Sequence, residues 1–195
     1  MKRVVVTVLL AACNGDVSSG TDGGGGGGDG SMGTADAPGG IGEPANLMGI
    51  TLYHNQVRAA VQTTTPLPAM QWDPDLAAYA AAWAAMCKDG GDGVNGLIDH
   101  NPARQNVAGY SYIGENIFGA GGTATAMGAV NSWASEKANF TYPNGCNGVC
   151  GHYTQIVWRT SVNLGCALQN CPSLQYGSTI VCDYGPGGNS GGAPY

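Results

Sequence analysis

Gly151-His152-Tyr153-Thr154-Gln155-Ile156-Val157-Trp158-Arg159-Thr160-Ser161 is the stretch on which the reading of this 195-residue chain turns. Tyr153, Gln155 and Val157 alternate with Thr154, Ile156 and Trp158. A period of two in β-branched and aromatic residues predicts a strand over Tyr153–Trp158. His152 then stands at the mouth of that strand, where a rigid scaffold meets a cleft.

Two more strands are predicted downstream, Leu164–Leu168 and Thr179–Asp183. Upstream the spacing turns helical. Asn46 can cap a first helix in which Leu47, Ile50, His54, Val57 and Val61 recur every three or four residues, and Thr63-Thr64-Thr65-Pro66 ends it. Asp73-Pro74-Asp75 opens a second helix with an N-cap, a proline at the first helical position and an acid behind it. Leu76, Tyr79, Ala80, Trp83 and Cys87 form its apolar stripe. A third runs from Thr123 or Thr125 to Ala138, with Ala126, Val130, Trp133 and Lys137 in register. Glu136 falls near its C-terminal end, where the dipole disfavours a carboxylate, so a compensating partner is expected. Gly90–Ile113 and Phe140–Val149 read as loops. Helices on both sides of a small antiparallel sheet give an α+β fold, a three-layer α-β-α sandwich.

The chain is acidic, with formal charge −6 and 10 % charged residues. That balance argues against binding nucleic acid or an anionic membrane surface, which needs basic patches. Residues 1–12 read as an export signal: Lys2-Arg3, the apolar run Val4–Leu10, then Ala11-Ala12. The apolar run is far short of the roughly 20 residues that span a bilayer. Asn14–Asn46 is a Gly-, Ser-, Asp- and Thr-rich linker without aromatics, so residues 13–46 are expected to form no core and to reach about 30 Å. The folded domain is assigned to residues 47–195. There are seven cysteines; with Cys13 set aside, six remain, an even number suited to three disulfides in an exported chain. Zinc is the competing use, but Cys146 and Cys150, and Cys166 and Cys171, are spaced more loosely than a two-residue zinc knuckle. Disulfides are preferred; spacing alone leaves their connectivity open.

Cys150-Gly151-His152-Tyr153-Thr154-Gln155-Ile156-Val157-Trp158 also resembles the first signature of the CAP superfamily, the cysteine-rich secretory, antigen 5 and pathogenesis-related proteins, whose domain is also called SCP. Ile180-Val181-Cys182-Asp183-Tyr184-Gly185-Pro186-Gly187-Gly188-Asn189 resembles the second, with Asp183 where the family more often carries an amide. His54-Asn55-Gln56-Val57-Arg58 is similar to the family's first helix, and Ile113-Gly114-Glu115-Asn116-Ile117 to its Gly-Glu-Asn element. The resemblance covers Leu47 to Tyr195. It implies the same sandwich and the bridges Cys87–Cys171, Cys146–Cys150 and Cys166–Cys182. It also implies a shared central cavity lined by His100, Glu115, Glu136 and His152, with Asp99 and Asn101 flanking His100 in place of a more usual His-Ser pairing. His54 is given a structural role outside that set. Separately, Leu10-Ala11-Ala12-Cys13 resembles the bacterial lipoprotein cleavage box. That implies a lipidated Cys13 on a secreted or cell-envelope protein, held on the outside of the cytoplasmic membrane or in the outer membrane through this anchor alone.

Two imidazoles facing two carboxylates can coordinate zinc or another divalent cation, act as general acid and base, or form a hydrogen-bonded polar network. All three readings stand at this point. A serine hydrolase would need a strand-to-helix elbow. Gly188-Asn189-Ser190-Gly191-Gly192 matches its letters but has no room for the helix. No His-Glu-x-x-His occurs, and Thr154 and Ser161 read as strand residues rather than nucleophiles. The family is linked to sterol and fatty-acid binding in grooves between helices and to extracellular interactions. Tyr110, Tyr112, Phe118, Phe140 and Tyr142 are candidates to line such a groove or a peptide cleft, or to cover the core. The expected function is binding of a small hydrophobic ligand (sterol or fatty acid) or an extracellular protein partner. A metal-dependent hydrolase or protease using the same four residues is the alternative.

Overall fold

A computed structural model describes residues 42–91 and 93–195. The expected export signal, Cys13 and the expected linker up to residue 41 lie outside the described residues. The elements in chain order are α1 (Ile50–Ala59), β1 (Gln71–Trp72), α2 (Pro74–Ala84), β2 (Gln105–Val107), β3 (Tyr110–Tyr112) and β4 (Gly114–Ala120). Then follow α3 (Ala126–Ser135), β5 (Phe140–Thr141), β6 (Gly145–Cys146), α4 (Gly151–Ile156), β7 (Asn163–Asn170) and β8 (Ser178–Gly185), with 3-10 turns at Ala45–Leu47 and Glu136–Asn139.

The central sheet has the order β1-β7-β8-β4. β4, β8 and β7 are antiparallel, while the two-residue β1 joins β7 in parallel. Alternation along the strands builds two cores. Leu164, Cys166, Ile180, Cys182 and Tyr184 pack with Leu47, Ile50, Val130, Trp133, Tyr153 and Ile156 from the helices α1, α3 and α4. Ile117 and Val181, from the opposite rows, pack with Ala80, Trp83 and Ala84 of α2 and with Ile98. The result is the expected three-layer α-β-α sandwich. Gly165 shows how closely α2 lies on the sheet: a Cβ there would sit 2.1 Å from the backbone nitrogen of Ala77.

One strand assignment is corrected and one strand is added. Residues Tyr153–Trp158 are not a strand; Gly151–Ile156 form the short helix α4. Tyr153, Ile156 and Val157 are buried, a helical three-then-four spacing. Thr154 Oγ1 donates back to the carbonyl of Cys150 at 3.0 Å, a bond that suits a helix turn. The missing sheet member is β4, which carries the Gly-Glu-Asn element.

The helices begin largely where expected. Asp73 Oδ1 accepts from the backbone N–H of Asp75 and Leu76, and Thr125 Oγ1 from that of Gly128. At α1 the cap is not Asn46. Glu43 reaches across, its Oε2 accepting from Gly49 N–H at 2.7 Å and its Oε1 from Thr51 N–H at 2.8 Å. Residues 42–46, read from composition as the end of the linker, therefore belong to the fold. The far end of α1 is tied down by Arg58, 1 % exposed, which donates to the carbonyls of Pro68, Ile156 and Trp158. One guanidinium thus satisfies carbonyls at the end of α4 that the helix leaves open.

All three disulfides form with the implied pairing: Cys87–Cys171, Cys146–Cys150 and Cys166–Cys182. No helix among the described residues is long and apolar enough to cross a membrane.

Candidate functional site

His100 sits in the loop ahead of β2 and is presented by its neighbours. Asp99 is buried, its backbone carbonyl accepting from Trp83 Nε1 at 2.8 Å and its Oδ2 from the N–H of Gly90. Asn101 Oδ1 accepts from the N–H of Ala103 at 3.0 Å, a local turn that fixes the other side. Between these anchors His100 projects outward with its side chain 51 % exposed. Its Nδ1 donates to Glu115 Oε1 at 2.6 Å, and that same oxygen accepts from the N–H of Asn101 at 2.9 Å. Glu115, on β4, has a fully buried side chain.

His152 is held from the other side. Glu136, just past the end of α3, accepts from His152 Nδ1 at 2.5 Å, from His152 N–H at 2.9 Å and from Tyr153 N–H at 3.2 Å. The compensating partner expected for a carboxylate at that helix end is therefore the start of α4. Burial pushes the Glu136 carboxyl up, but the hydrogen bond and charge of His152, with the two backbone donors, outweigh it and leave the group below its usual range. The His152 ring stacks on Trp133, centroids 6.2 Å apart at 22°.

The four predicted residues are thus held as two pairs. Consecutive strand residues point to opposite faces, and β4 uses this. Glu115 lies in the row that faces α2 and holds His100. Asn116 faces the other layer, where its Nδ2 donates to the carbonyl of His152 at 3.1 Å and to Tyr184 Oη at 2.9 Å. Among the described residues no group of three or more His, Cys, Asp or Glu side chains is placed to hold a metal ion. Carboxylates accept only, so each Nδ1 carries the proton that it shares with its glutamate.

His54 has the structural role expected of it. It is fully buried; Nδ1 donates to Ile50 O at 2.7 Å and Nε2 accepts from Tyr184 Oη at 2.8 Å. Burial first, with Arg58 adding to it and the Ile50 bond opposing, lowers its pKa to about 4. His54, Tyr184 and Asn116 form one relay of hydrogen bonds ending on the backbone of His152.

Gln155 explains why the motifs occur together. Its Oε1 accepts from the N–H of Gly188 at 3.0 Å and its Nε2 donates to Ser161 Oγ at 3.0 Å. A Cβ on Gly114 would lie 1.9 Å from that Oε1. One amide joins the Gly-Glu-Asn element to both signatures. Ser161 is fully buried and donates onward to Pro186 O, and Thr154 Oγ1 bonds to Cys150 O and Asn189 Oδ1. No hydrogen bond of either hydroxyl runs to an imidazole.

Sequence reasoning missed Trp133, Asn116 and Asp183 as parts of this region. For Asn116 the signal was its place beside Glu115; for Asp183, the acid standing in for an amide. The candidate aromatics mostly cover other surfaces: Phe118 and Phe140 pack against the core, Tyr110 Oη donates to Asp73 Oδ2, and Tyr142 is 56 % exposed and stacks on Tyr195. A different groove, of about 350 Å³, runs between α1 and α3, lined by Tyr53, Gln56, Val57, Ala60, Met127, Val130 and Asn131.

The sequence model of the cysteine-rich secretory protein family, CAP, matches residues 52–184. Pathogenesis-related protein 1 of Arabidopsis thaliana is 45 % identical over 138 residues, covering 70 % of this chain and 73 % of that protein. Among solved structures, venom allergen-like protein 4 of Schistosoma mansoni aligns with a TM-score of 0.60 at 27 % identity, over 74 % of this chain and 90 % of that one. The hookworm platelet inhibitor aligns at 0.55 and 25 %, over 75 % and 72 %. With its motifs, its three bridges and its layers all in place, the chain belongs to the cysteine-rich secretory protein (CAP) family.

Proposed function

We propose that this chain is an exported binding module that takes a slender hydrophobic ligand, such as a fatty-acid chain, in the groove between α1 and α3. The observation that carries this is the groove itself. Its volume of about 350 Å³ falls at the small end of ligand sites, of order 300–1,000 Å³. Its lining combines Tyr53, Val57, Ala60, Met127 and Val130 with only two amides, Gln56 and Asn131. Met127 is 52 % exposed, and methionine's flexible thioether adapts to irregular alkyl chains. Export is supported by the three disulfides, which persist in oxidising compartments, and by the family's secretory character.

The two His–Glu pairs form a separate polar region. A carboxylate on Nδ1 orients an imidazole in the way that metal-ligating histidines are oriented. Held in this way by Glu115 and Glu136, His100 and His152 would each offer Nε2 to a divalent cation.

The test is lipid extraction from the purified chain, followed by displacement of a fluorescent fatty acid. Extraction should recover a fatty acid, and Ala60→Trp, which fills the rim of the groove, should weaken binding about tenfold or more. An empty chain with no affinity for the probe, or one that binds a sterol and not fatty acids, would overturn the reading.

A further inference from the structure

The Cys146–Cys150 bridge differs from the other two in place and in the loop it closes. Cys166 and Cys182 face each other across β7 and β8 and are 2 % and 0 % exposed, and Cys171 is 0 % exposed with its partner Cys87 half-buried. Cys146, on β6, is exposed, while Cys150 is 5 % exposed. The bridge spans 4 residues of sequence, against 84 and 16 for the others. The chain entropy a disulfide removes shrinks with the loop it closes, so opening this one costs the fold least. Exposed bridges are also the labile ones in thiol exchange.

The same bridge lines a groove of about 460 Å³. Phe140 and Trp158 supply aromatic surface, and Thr154, Asn189 and Pro194 border it. No charged side chain lines it. It can therefore accept an uncharged stretch of peptide beside an accessible disulfide.

We propose that Cys146–Cys150 is a thiol–disulfide exchange site whose groove receives a cysteine-bearing peptide. A peptide thiolate attacks Cys146 Sγ, the exposed sulfur. The Sγ–Sγ bond breaks, its electron pair leaves with Cys150 Sγ as a thiolate, and a mixed disulfide forms between the peptide and Cys146. With a dithiol peptide, the second peptide thiolate attacks the peptide's own sulfur in that mixed disulfide and expels Cys146 as a thiolate. The peptide is oxidised by two electrons to a disulfide, the protein bridge is reduced to two thiols, and the two protons released by the peptide end on Cys146 and Cys150 through water.

The test uses the full chain with reduced glutathione, quenching by alkylation and peptide mapping, well below the melting temperature. The bridge should open about tenfold or more faster than the other two, with glutathione on Cys146 and the alkyl group on Cys150. Loss of all three bridges together, or an adduct on Cys150, would overturn the proposal. The groove is tested with a peptide carrying Phe beside its Cys, compared with dithiothreitol. Asn144→Trp fills the groove from an exposed position, and Gly151→Leu does so from a site where an added Cβ meets nothing within 4 Å. Both should slow the peptide about fivefold and leave dithiothreitol unchanged; equal rates with the unaltered chain for both reagents would remove the peptide from the proposal.

Discussion

Glu115 on β4 and Asp183 on β8 are direct cross-strand partners, 6 % and 1 % exposed. Three of their four carboxyl oxygens, Glu115 Oε2 and both of Asp183, have no hydrogen-bond partner among the described residues. Burial first, then the charge of Glu115, push the Asp183 carboxyl up to about 8, with Arg104 pulling weakly the other way. An acid stands here where the family more often has an amide, and it holds its proton at neutral pH.

That proton makes stability depend on pH with a definite sign. An unfolded aspartate titrates near 3.9, so between about 4 and 8 the native chain holds a proton that the unfolded chain lacks. Asp183 therefore lowers stability by up to about 1.4 kcal/mol for each pH unit gained across that window. His54 acts in the opposite sense. Its pKa of about 4 lies below an unfolded value near 6.5, so its contribution rises with pH between those limits. From these two groups the slopes cancel between about 4 and 6.5, and a decline appears from about 6.5 to 8. In Asp183→Asn the decline should vanish and the His54 rise should emerge. Urea unfolding across this range reads both; an unchanged profile in the variant would mean Asp183 is ionised in the native state.

Glu136→Ala should destabilise the chain by about 1–3 kcal/mol, because it leaves the N–H groups of His152 and Tyr153 and the Nδ1 proton without their acceptor. Glu136→Gln, which retains one carbonyl oxygen, should cost less. Equal losses in denaturant melts would show that charge, rather than hydrogen bonding, holds the start of α4.

Trp133→Ala should cost about 3–5 kcal/mol, as expected for emptying a core tryptophan that is 2 % exposed and donates to Ile117 O. The same variant should loosen the His152 ring stacked on it, visible as averaging of the imidazole resonances. A ring that stays as ordered as before would show that Glu136 alone positions it.

The bridges should rank by the loops they close. Paired Cys→Ala changes at Cys87–Cys171, Cys166–Cys182 and Cys146–Cys150 should cost about 4.6, 3 and 2 kcal/mol respectively from chain entropy. Thermal melts check the order. A larger loss at Cys146–Cys150 than at Cys166–Cys182 would show that the short bridge carries packing as well.

Much of the fold was legible because local signals agreed with the final packing. Asp73-Pro74-Asp75 starts α2, Thr125 caps α3, and the Leu164–Leu168 and Thr179–Asp183 runs lie inside β7 and β8. The stretch after Cys150 misled because its residues are β-formers in alternation while tertiary packing makes them helical. Tyr153, Ile156 and Val157 all turn inward, and the alternation carries no difference in burial. β4 was obscure for the opposite reason: Gly114, Glu115 and Asn116 are poor strand formers, held in place by Gln155, His100 and Tyr184 from distant segments. At the site, the pairing of His100 with Glu115 and of His152 with Glu136 was not legible, since it depends on Glu115 and Asn116 facing opposite layers.

Glu43 decides where the molecule can be shortened. Periodicity alone would invite a cut at Leu47, just ahead of α1, and such a cut would strip two amides of their acceptor. A recombinant fragment starting at Gly42 keeps its first helix fastened; one starting five residues later begins with a fraying end.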